Sequence, residues 1–445
     1  MIKVLNNFGN FIRNPVFPLL MVNFIGALGY SVILPFLVFL VLDFGGEAVL
    51  YGVLAAVYPA FQMVGAPLLG SWSDKIGRKK VLIISQAGTL LSWLIFLIAF
   101  MFPAEPLFSI QTSNYGIILF TLPLAILFVA RALDGLTGGN ISVANAYLSD
   151  ISDQKTRKAN FGKMSASMNL GFIMGPSIAG FLSSQPNGNM LTVITAAIIS
   201  LVGLLVIIFY LPNIKSQRQV STCQEEKMKK VLDIEQKDCY EHENQASDNL
   251  SLWQTPMVKL IVMLYFLIFL GYNFFYATFP IYSSTRLDWS PQQLGVFFTI
   301  LSGFMILVQG PILSRLSNRF SEEQLFLAGS LIMVGTFICL SQNIFIFIYL
   351  AALLYGAGNG ILWPSYLSIL SKSGPPQSQG SLQGIANSFG SLASIIGLIA
   401  GGFLLNLIVE KVFLLSAGIL AIIAIFGMYM LKVSRRLPKP ESVEP

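Results

Sequence analysis

Two ionisable residues stand three apart in an otherwise apolar stretch: Arg131 and Asp134, within ARALDGLTGGN at positions 130–140. A charge at bilayer depth costs roughly 2.5–3.5 kcal/mol on insertion scales, so a pair of them inside a spanning helix marks a functional site by default. Residues i and i+3 share a helix face, close enough to form an ion pair. The guanidinium favours the ionised carboxylate and burial favours the neutral acid, so water access or a bound cation can tip the balance. That is the property a proton-coupling site needs. The same spacing also allows a fixed ion pair that only locks helix packing, and both readings stand at this point.

The surroundings make the spanning helix the natural setting. Of the 445 residues, 55% are hydrophobic and 11% charged, and the mean hydropathy is +0.72, more apolar than one soluble core requires. Apolar runs of the length that crosses a hydrocarbon core of about 30 Å recur twelve times, from 15–41 to 412–432. The fourth run, 116–149, is expected to be one helix with Arg131 about 21 Å from its start at Ile117. The first run is too long for a signal peptide and lacks a small-residue cleavage pattern, so it is expected to be retained. With the N-terminus inside, 24 of the 27 Lys and Arg residues fall on the inner side; Arg286 and Lys411 fall outside and Arg131 lies in the membrane. Both termini are therefore expected in the cytoplasm. The net charge of +6 follows from this topology and gives no reason to expect nucleic acid as a partner.

A polar stretch at 212–254, rich in Lys, Glu, Asp and Gln, separates six spans (1–211) from six spans (255–445) and reads as a disordered or partly helical linker. The halves echo one another. GGNISVANAYLSDIS at 138–152 aligns with AGNGILWPSYLSILS at 357–371, GSWSDKIGRKK at 70–80 with GPILSRLSNRF at 310–320, and GFIMGPSIAG at 171–180 with GLIAGG at 397–402. Three echoes in order argue for an internal duplication, as in transporters that rock one half against the other.

Each motif has a physical reading of its own. In GSWSDKIGRKK, Gly70 permits close helix approach and Gly77 the tight turn of a short loop. Asp74 suits the positive end of a neighbouring helix, and Arg78 can pair with an acid across the loop. In NLGFIMGPSIAG, Gly171, Gly175 and Gly180 allow neighbouring helices to close in, and Pro176 removes a backbone hydrogen bond and bends the span. Leu398 occupies the matching position in the second half, so a weaker hinge is expected there.

Taken together these motifs resemble the major facilitator superfamily, within its branch of drug/proton antiporters and tetracycline exporters. GSWSDKIGRKK matches the superfamily's G-x-x-x-D-K/R-x-G-R-K/R-K/R loop. RALDGLTGGN with AYLSD resembles the branch's fourth-span motif, NLGFIMGPSIAG its fifth-span motif, and QGSLQGIANSFGSLASIIG the eleventh span of tetracycline-type exporters. The resemblance implies an all-α membrane protein, twelve transmembrane helices in two pseudo-symmetric six-helix bundles. It implies that Asp74 and Arg78 form a conformational latch with Asp150, and that Arg131 takes part in proton coupling. It also implies a midplane cavity lined by the first, fourth, seventh and tenth spans, which here offer Asn23, Tyr30, Asn140, Asn145, Tyr272, Asn273, Tyr276, Tyr355, Asn359 and Trp363. Amides and aromatics without fixed charge suit a mainly apolar or zwitterionic substrate.

One departure bears on coupling. Many exporters of the branch carry an acid in the first span, where NFIGALGYSVILP has Gly26 at the aligned position, and spans seven to twelve contain no acid either. If protons are coupled, Asp134 is the carboxylate available. The expected function is secondary active, proton-coupled efflux of small amphiphilic compounds, in a bacterial inner membrane, by a monomer. Its partners are then a small-molecule substrate, protons and the lipid bilayer. The alternatives are a facilitator or transporter of an endogenous metabolite, such as a sugar, osmolyte or siderophore, and a non-transporting receptor on the same scaffold. No enzymatic constellation, cofactor or phosphate-binding G-x-x-x-x-G-K-S/T loop is found. Cys223, Cys239 and His242 in the linker fall short of the four regularly spaced ligands of a structural zinc site, so no metal is expected.

Overall fold

The computed structural model describes residues 16–33, 36–112, 116–138, 140–152, 154–183, 185–213, 228–231, 234–237, 256–342, 344–373, 379–408 and 411–436. The first span consists of α1 (Val16–Ile33) and α2 (Leu37–Asp43). It is followed by α3 (Ala48–Ile76), α4 (Arg78–Ala99), a hairpin of β1 (Pro106–Thr112) and β2 (Gly116–Thr121), α5 (Leu122–Thr137), α6 (Asn140–Ile151), α7 (Gln154–Ser183) and α8 (Gly188–Tyr210). A short hairpin, β3 (Met228–Val231) and β4 (Ile234–Lys237), lies in the linker, where coil or partial helix was expected. The linker residues Cys223, Cys239 and His242 lie outside the described residues.

The second half runs α9 (Pro256–Thr285), α10 (Pro291–Leu307), a π-helical turn (Val308–Ile312), α11 (Leu313–Leu316), α12 (Glu322–Leu340), α13 (Phe345–Lys372), α14 (Gln379–Ile408) and α15 (Val412–Arg436). Among the described residues ten helices are long and apolar enough to cross a membrane by themselves. The other two spans are the fourth, divided into α5 and α6, and the fifth, α7, whose first turns carry Lys155, Arg157, Lys158 and Lys163. The protein is an integral membrane protein with multiple spans.

The fourth span departs from expectation. Residues 116–121 form a strand, with Phe108 opposite Phe120 and Ile110 opposite Ile118. The segment GIILFT is short, β-branched and aromatic, so periodicity cannot separate it from buried helix. Thr121, extended, ends the strand, Pro123 occupies the first helical turn, and the Thr121 hydroxyl donates to the Phe44 carbonyl at 2.8 Å. Arg131 therefore lies about 14 Å from the start of its helix, in place of 21 Å.

Packing repeats between the halves. α1 packs on α7 as α9 packs on α14, and α4 packs on α5 as α12 packs on α13. The tie between α1 and α7 is Asn23, whose amide donates to Met164 O (2.9 Å) and Ser167 Oγ (3.0 Å). Its counterpart between α9 and α14 is Asn273, donating to Phe269 O (2.8 Å) and Ser394 Oγ (2.9 Å).

The halves meet through α3 on α14 and α7 on α10. Glycines bring the backbones together at one end. A Cβ on Gly52 would lie 2.7 Å from Leu398 O and 3.0 Å from Gly402 Cα, and a Cβ on Gly180 would lie 2.6 Å from Gly295 Cα. Tyr51 crosses the same seam, its hydroxyl donating to Tyr276 O at 3.0 Å. This end adjoins the loops before α3, after α7 and before α10, on the side poor in Lys and Arg.

Candidate functional site

The site is built around the break in the fourth span. α5 ends at Thr137 and α6 begins at Asn140, leaving carbonyls without helical partners inside the bundle. Such backbone is tolerated at membrane depth only when protein groups satisfy it. Gln62 Nε2 of α3 donates to Gly138 O at 2.8 Å, and Ser85 Oγ of α4 donates to Thr137 O. Glycines allow this proximity: a Cβ on Gly135 would lie 2.5 Å from Tyr58 O, and Gly88 faces the Thr137 side chain. Discontinuous helices of this kind mark binding sites in membrane transporters.

On the last turns of α5, Arg131 Nη1 and Asp134 Oδ2 form an ion pair at 3.2 Å. Arg131 is 1% and Asp134 8% exposed, and Asp134 is the one buried carboxylate among the described residues. Thr89 of α4 adds a hydrogen bond to Asp134. The Arg131 guanidinium carbon lies 4.7 Å from the centroid of the Tyr58 ring, a cation–π contact that replaces part of its lost hydration. Its Nε and Nη2 have no hydrogen-bond partner among the described residues. The guanidinium thus keeps the three N–H donors of Nε and Nη2 beyond what Asp134 occupies. Tyr30 of α1 closes the site against Tyr58 (ring centroids 5.1 Å) and Phe172 of α7 (6.0 Å).

In the second half an aromatic cluster sits on α9, α10 and α13. The Tyr272 hydroxyl donates to Asn359 Oδ1 at 2.7 Å, Tyr276 stacks with Phe298 (6.1 Å), and Tyr355 packs on Tyr272 (6.0 Å) and Phe275 (4.8 Å). Tyr30 lies within electrostatic reach of Tyr276, so the two clusters approach each other across the seam. Trp363 packs instead with Tyr265, Phe269 and Tyr366.

The residues expected to line the cavity thus lie in several different settings. Asn23 and Asn273 are engaged in helix–helix ties, where an amide joins helices in an apolar solvent. Asn145 is half-buried on α6, and the side chain of Asn140 lies outside the described residues. Of residues that sequence reasoning did not select, Tyr58 and Thr89 touch the ion pair, Gln62 donates to the Tyr58 hydroxyl at 3.1 Å, and Tyr51 lies within electrostatic reach of Arg131. Gln62 offered a signal, an amide one helical turn after Tyr58 in an apolar span.

The loop motif places Gly77 at φ +100°, a conformation that favours glycine, between α3 and α4. Arg78 Nε pairs with Asp150 Oδ2 at 3.1 Å and its Nη1 donates to Ser73 Oγ at 2.5 Å. Both ion-pair partners belong to the first half. Gly70 makes no close approach, since the space a Cβ would take is open, and the side chain of Asp74 lies outside the described residues. In α7, a Cβ on Gly171 would lie 2.6 Å from Phe24 O and Gly175 abuts Ser31, while the helix runs on through Pro176 to Ser183.

The sequence profile of the Major Facilitator Superfamily matches residues 19–309 and 261–445. The chain belongs to the major facilitator superfamily. This is a family of transporters, not enzymes. Among its relatives, the class D tetracycline resistance protein of Salmonella ordonez is 25% identical over 397 residues, 88% of this chain and 90% of that protein. Multidrug resistance protein 2 of Bacillus subtilis is 24% identical over 92% of this chain and 94% of its own length. The superfamily fold is shared with a D-xylose–proton symporter structure, at TM-score 0.71 and 17% identity, covering 93% of this chain and 97% of that one. The human organic anion transporter MFSD10 (TETRAN) matches at TM-score 0.63 and 17% identity, over 94% and 99% of the two chains.

Proposed function

We propose that this superfamily member is a secondary active exporter of small amphiphilic compounds, tetracycline-like or multidrug-like, driven by inward proton flow through Asp134. The observation that carries the reading is the Arg131–Asp134 pair: a buried carboxylate beside a broken helix, held by a guanidinium with donors to spare. With Asp134 ionised, its carboxylate holds Arg131 Nη1 and accepts from a donor of the substrate, while Arg131 Nε and Nη2 donate to a substrate oxygen or water. Protonation of Asp134 from the outer side removes that charge and acceptor and lowers the affinity for substrate, and loss of the proton to the inner side restores the site, so proton and substrate exclude each other as antiport requires. The names of the relatives, tetracycline and multidrug resistance proteins, support export as the direction.

In this reading the bundles at 1–211 and 255–445 rock about the seam, joined by the linker at 212–254. Substrate binds between Tyr30 on one side and Tyr272, Tyr276, Tyr355 and Asn359 on the other. Both termini face the cytoplasm of a bacterial cell, the chain acts as a monomer in the inner membrane, and the glycine-closed end faces outward. Asp74, Arg78 and Asp150 form the latch of the inner side. Because Arg78 and Asp150 both belong to the first half, their pair orders the loop, and Asp74 is the member left to engage the second half.

The test is proton flux in sealed vesicles that contain the purified protein and a pH-sensitive dye, challenged with a panel of amphiphilic drugs including tetracycline. A drug-triggered pH change that is lost in Asp134→Asn is the expected result. Drug movement without a pH change, equal in both proteins, would overturn proton coupling and leave the pair structural. The second reading, a facilitator of an endogenous metabolite, then takes its place, favoured by the absence of an acid in the first span.

A further inference from the structure

The loop between α11 and α12 is the second-half counterpart of GSWSDKIGRKK, and it has lost the acid. With Gly70 set on Gly310, Asp74 falls on Ser314, Lys75 on Arg315, Arg78 on Asn318 and Lys79 on Arg319. In the first half the arginine of the loop is buried and paired with Asp150. Here that arginine is replaced by Asn318, while Lys75 and Lys79 keep basic counterparts in Arg315 and Arg319, which no carboxylate meets among the described residues. Among the described residues neither Arg315 nor Arg319 forms an ion pair, and both are exposed. Of the neighbouring acids, Glu322 is engaged by Lys372 Nζ at 2.7 Å and by the Ser368 hydroxyl at 2.5 Å, and Glu323 pairs with neither arginine.

The backbone presents the two arginines together. The π-helical turn at Val308–Ile312 adds a residue to the helical repeat just before α11, a local change of register that recurs at functional sites. The turn beyond α11 stays coiled, with Ser317 N bonded to Leu313 O (2.8 Å) and both Arg319 N and Phe320 N to Leu316 O (2.9 Å each). Arg319 thus follows Arg315 by one turn, on the same face. Arg315, Leu316, Asn318 and Arg319 line a hollow of 330 Å³. Its walls supply two guanidinium forks and an amide, a donor set that fits a phosphate group. It lies where the span ending at Leu316 leaves the membrane and a few residues before the span starting at Glu322 re-enters it, at headgroup depth.

We propose that Arg315 and Arg319, with Asn318, form a phosphate-binding site at the membrane surface, filled by the phosphodiester of an anionic lipid headgroup. The proposal does not depend on what the protein transports. Basic residues beside a spanning helix bind anionic lipid through charge, at about a fivefold gain in affinity per residue near the surface.

The full-length protein in detergent, titrated with phosphatidylglycerol, with phosphatidylcholine and with inorganic phosphate, tests the site through the rise in melting temperature and through native mass spectra of bound lipid. Saturable binding of phosphatidylglycerol and not phosphatidylcholine is expected, weakened about thirtyfold in R315Q/R319Q and kept within a few-fold by R315K/R319K. If inorganic phosphate alone produces the same saturable shift and displaces the lipid, the anion site stands and its occupant is soluble phosphate. Equal phosphatidylglycerol binding by wild type and R315Q/R319Q overturns the proposal. Should the double variant fail to fold, the single variants R315Q and R319Q, expected about fivefold weaker each, give the same decision.

Discussion

Gly180 of α7 and Gly295 of α10 lie backbone to backbone across the two halves, so close that a Cβ on Gly180 would sit 2.6 Å from Gly295 Cα. No side chain other than hydrogen fits without parting the helices. Beside this contact the Thr299 hydroxyl donates to Ser177 Oγ at 2.9 Å. A valine at 295 is expected to cost this closed end about 1–3 kcal/mol, which moves an open–closed equilibrium by roughly 5- to 150-fold. Cross-linking of a Ser177→Cys/Thr299→Cys pair, with the three native cysteines replaced by serine, measures the shift. The cross-link should form readily on the glycine background and fall steeply with Gly295→Val. Equal yields would mean that the seam is not strained by the added methyls.

The pair between Arg78 and Asp150 makes a second quantitative expectation. Asp150→Asn replaces an ion pair by a hydrogen bond from the guanidinium to a neutral amide, with the Arg78 side chain only 5% and the Asp150 side chain 14% exposed, a loss of at most about 1.5–3 kcal/mol for bonds to charged groups. Ser73→Ala removes the neutral partner, leaves the carboxylate, and should cost less. Thermal unfolding in detergent would rank wild type above Ser73→Ala and Ser73→Ala above Asp150→Asn. If Asp150→Asn unfolds with the wild type, the pair contributes nothing to the fold and any role it has is confined to transport.

Much of this arrangement was legible in the chain because the membrane restricts it. Charge cannot sit at depth without reason, so Arg131 and Asp134 stood out, and the structure brings them to 3.2 Å. The turn glycine Gly77 and the crowded glycines of α7 could be read because only glycine meets such backbone demands. Which way a polar side chain faces was not legible. An amide in a helix apolar on all sides gives no moment to orient it, so the hydrogen bonds that Asn23 and Asn273 make between helices could not be read from the chain. The strand at 116–121 was missed because β-branched and aromatic residues satisfy a buried helix and a hairpin alike. Tyr58 and Gln62 were missed because α3 was not counted among the cavity helices, although their spacing of four already placed them on one face.

The Arg131–Asp134 pair itself separates stability from transport through a double-mutant cycle. Removing one member of a buried pair strands the other charge and costs about 3–5 kcal/mol, whereas replacing both with apolar groups of similar volume is often neutral. Arg131→Met should therefore be markedly destabilised, because Asp134 would keep only its hydrogen bond from Thr89. Asp134→Leu leaves the guanidinium with the Tyr58 ring as its described contact and should also be destabilised. Arg131→Met/Asp134→Leu should recover most of the loss in thermal unfolding while drug-triggered proton flux stays at zero. Recovery of folding without flux would assign the charges to transport. A double variant as unstable as the singles would instead make the pair part of what holds α5 in place.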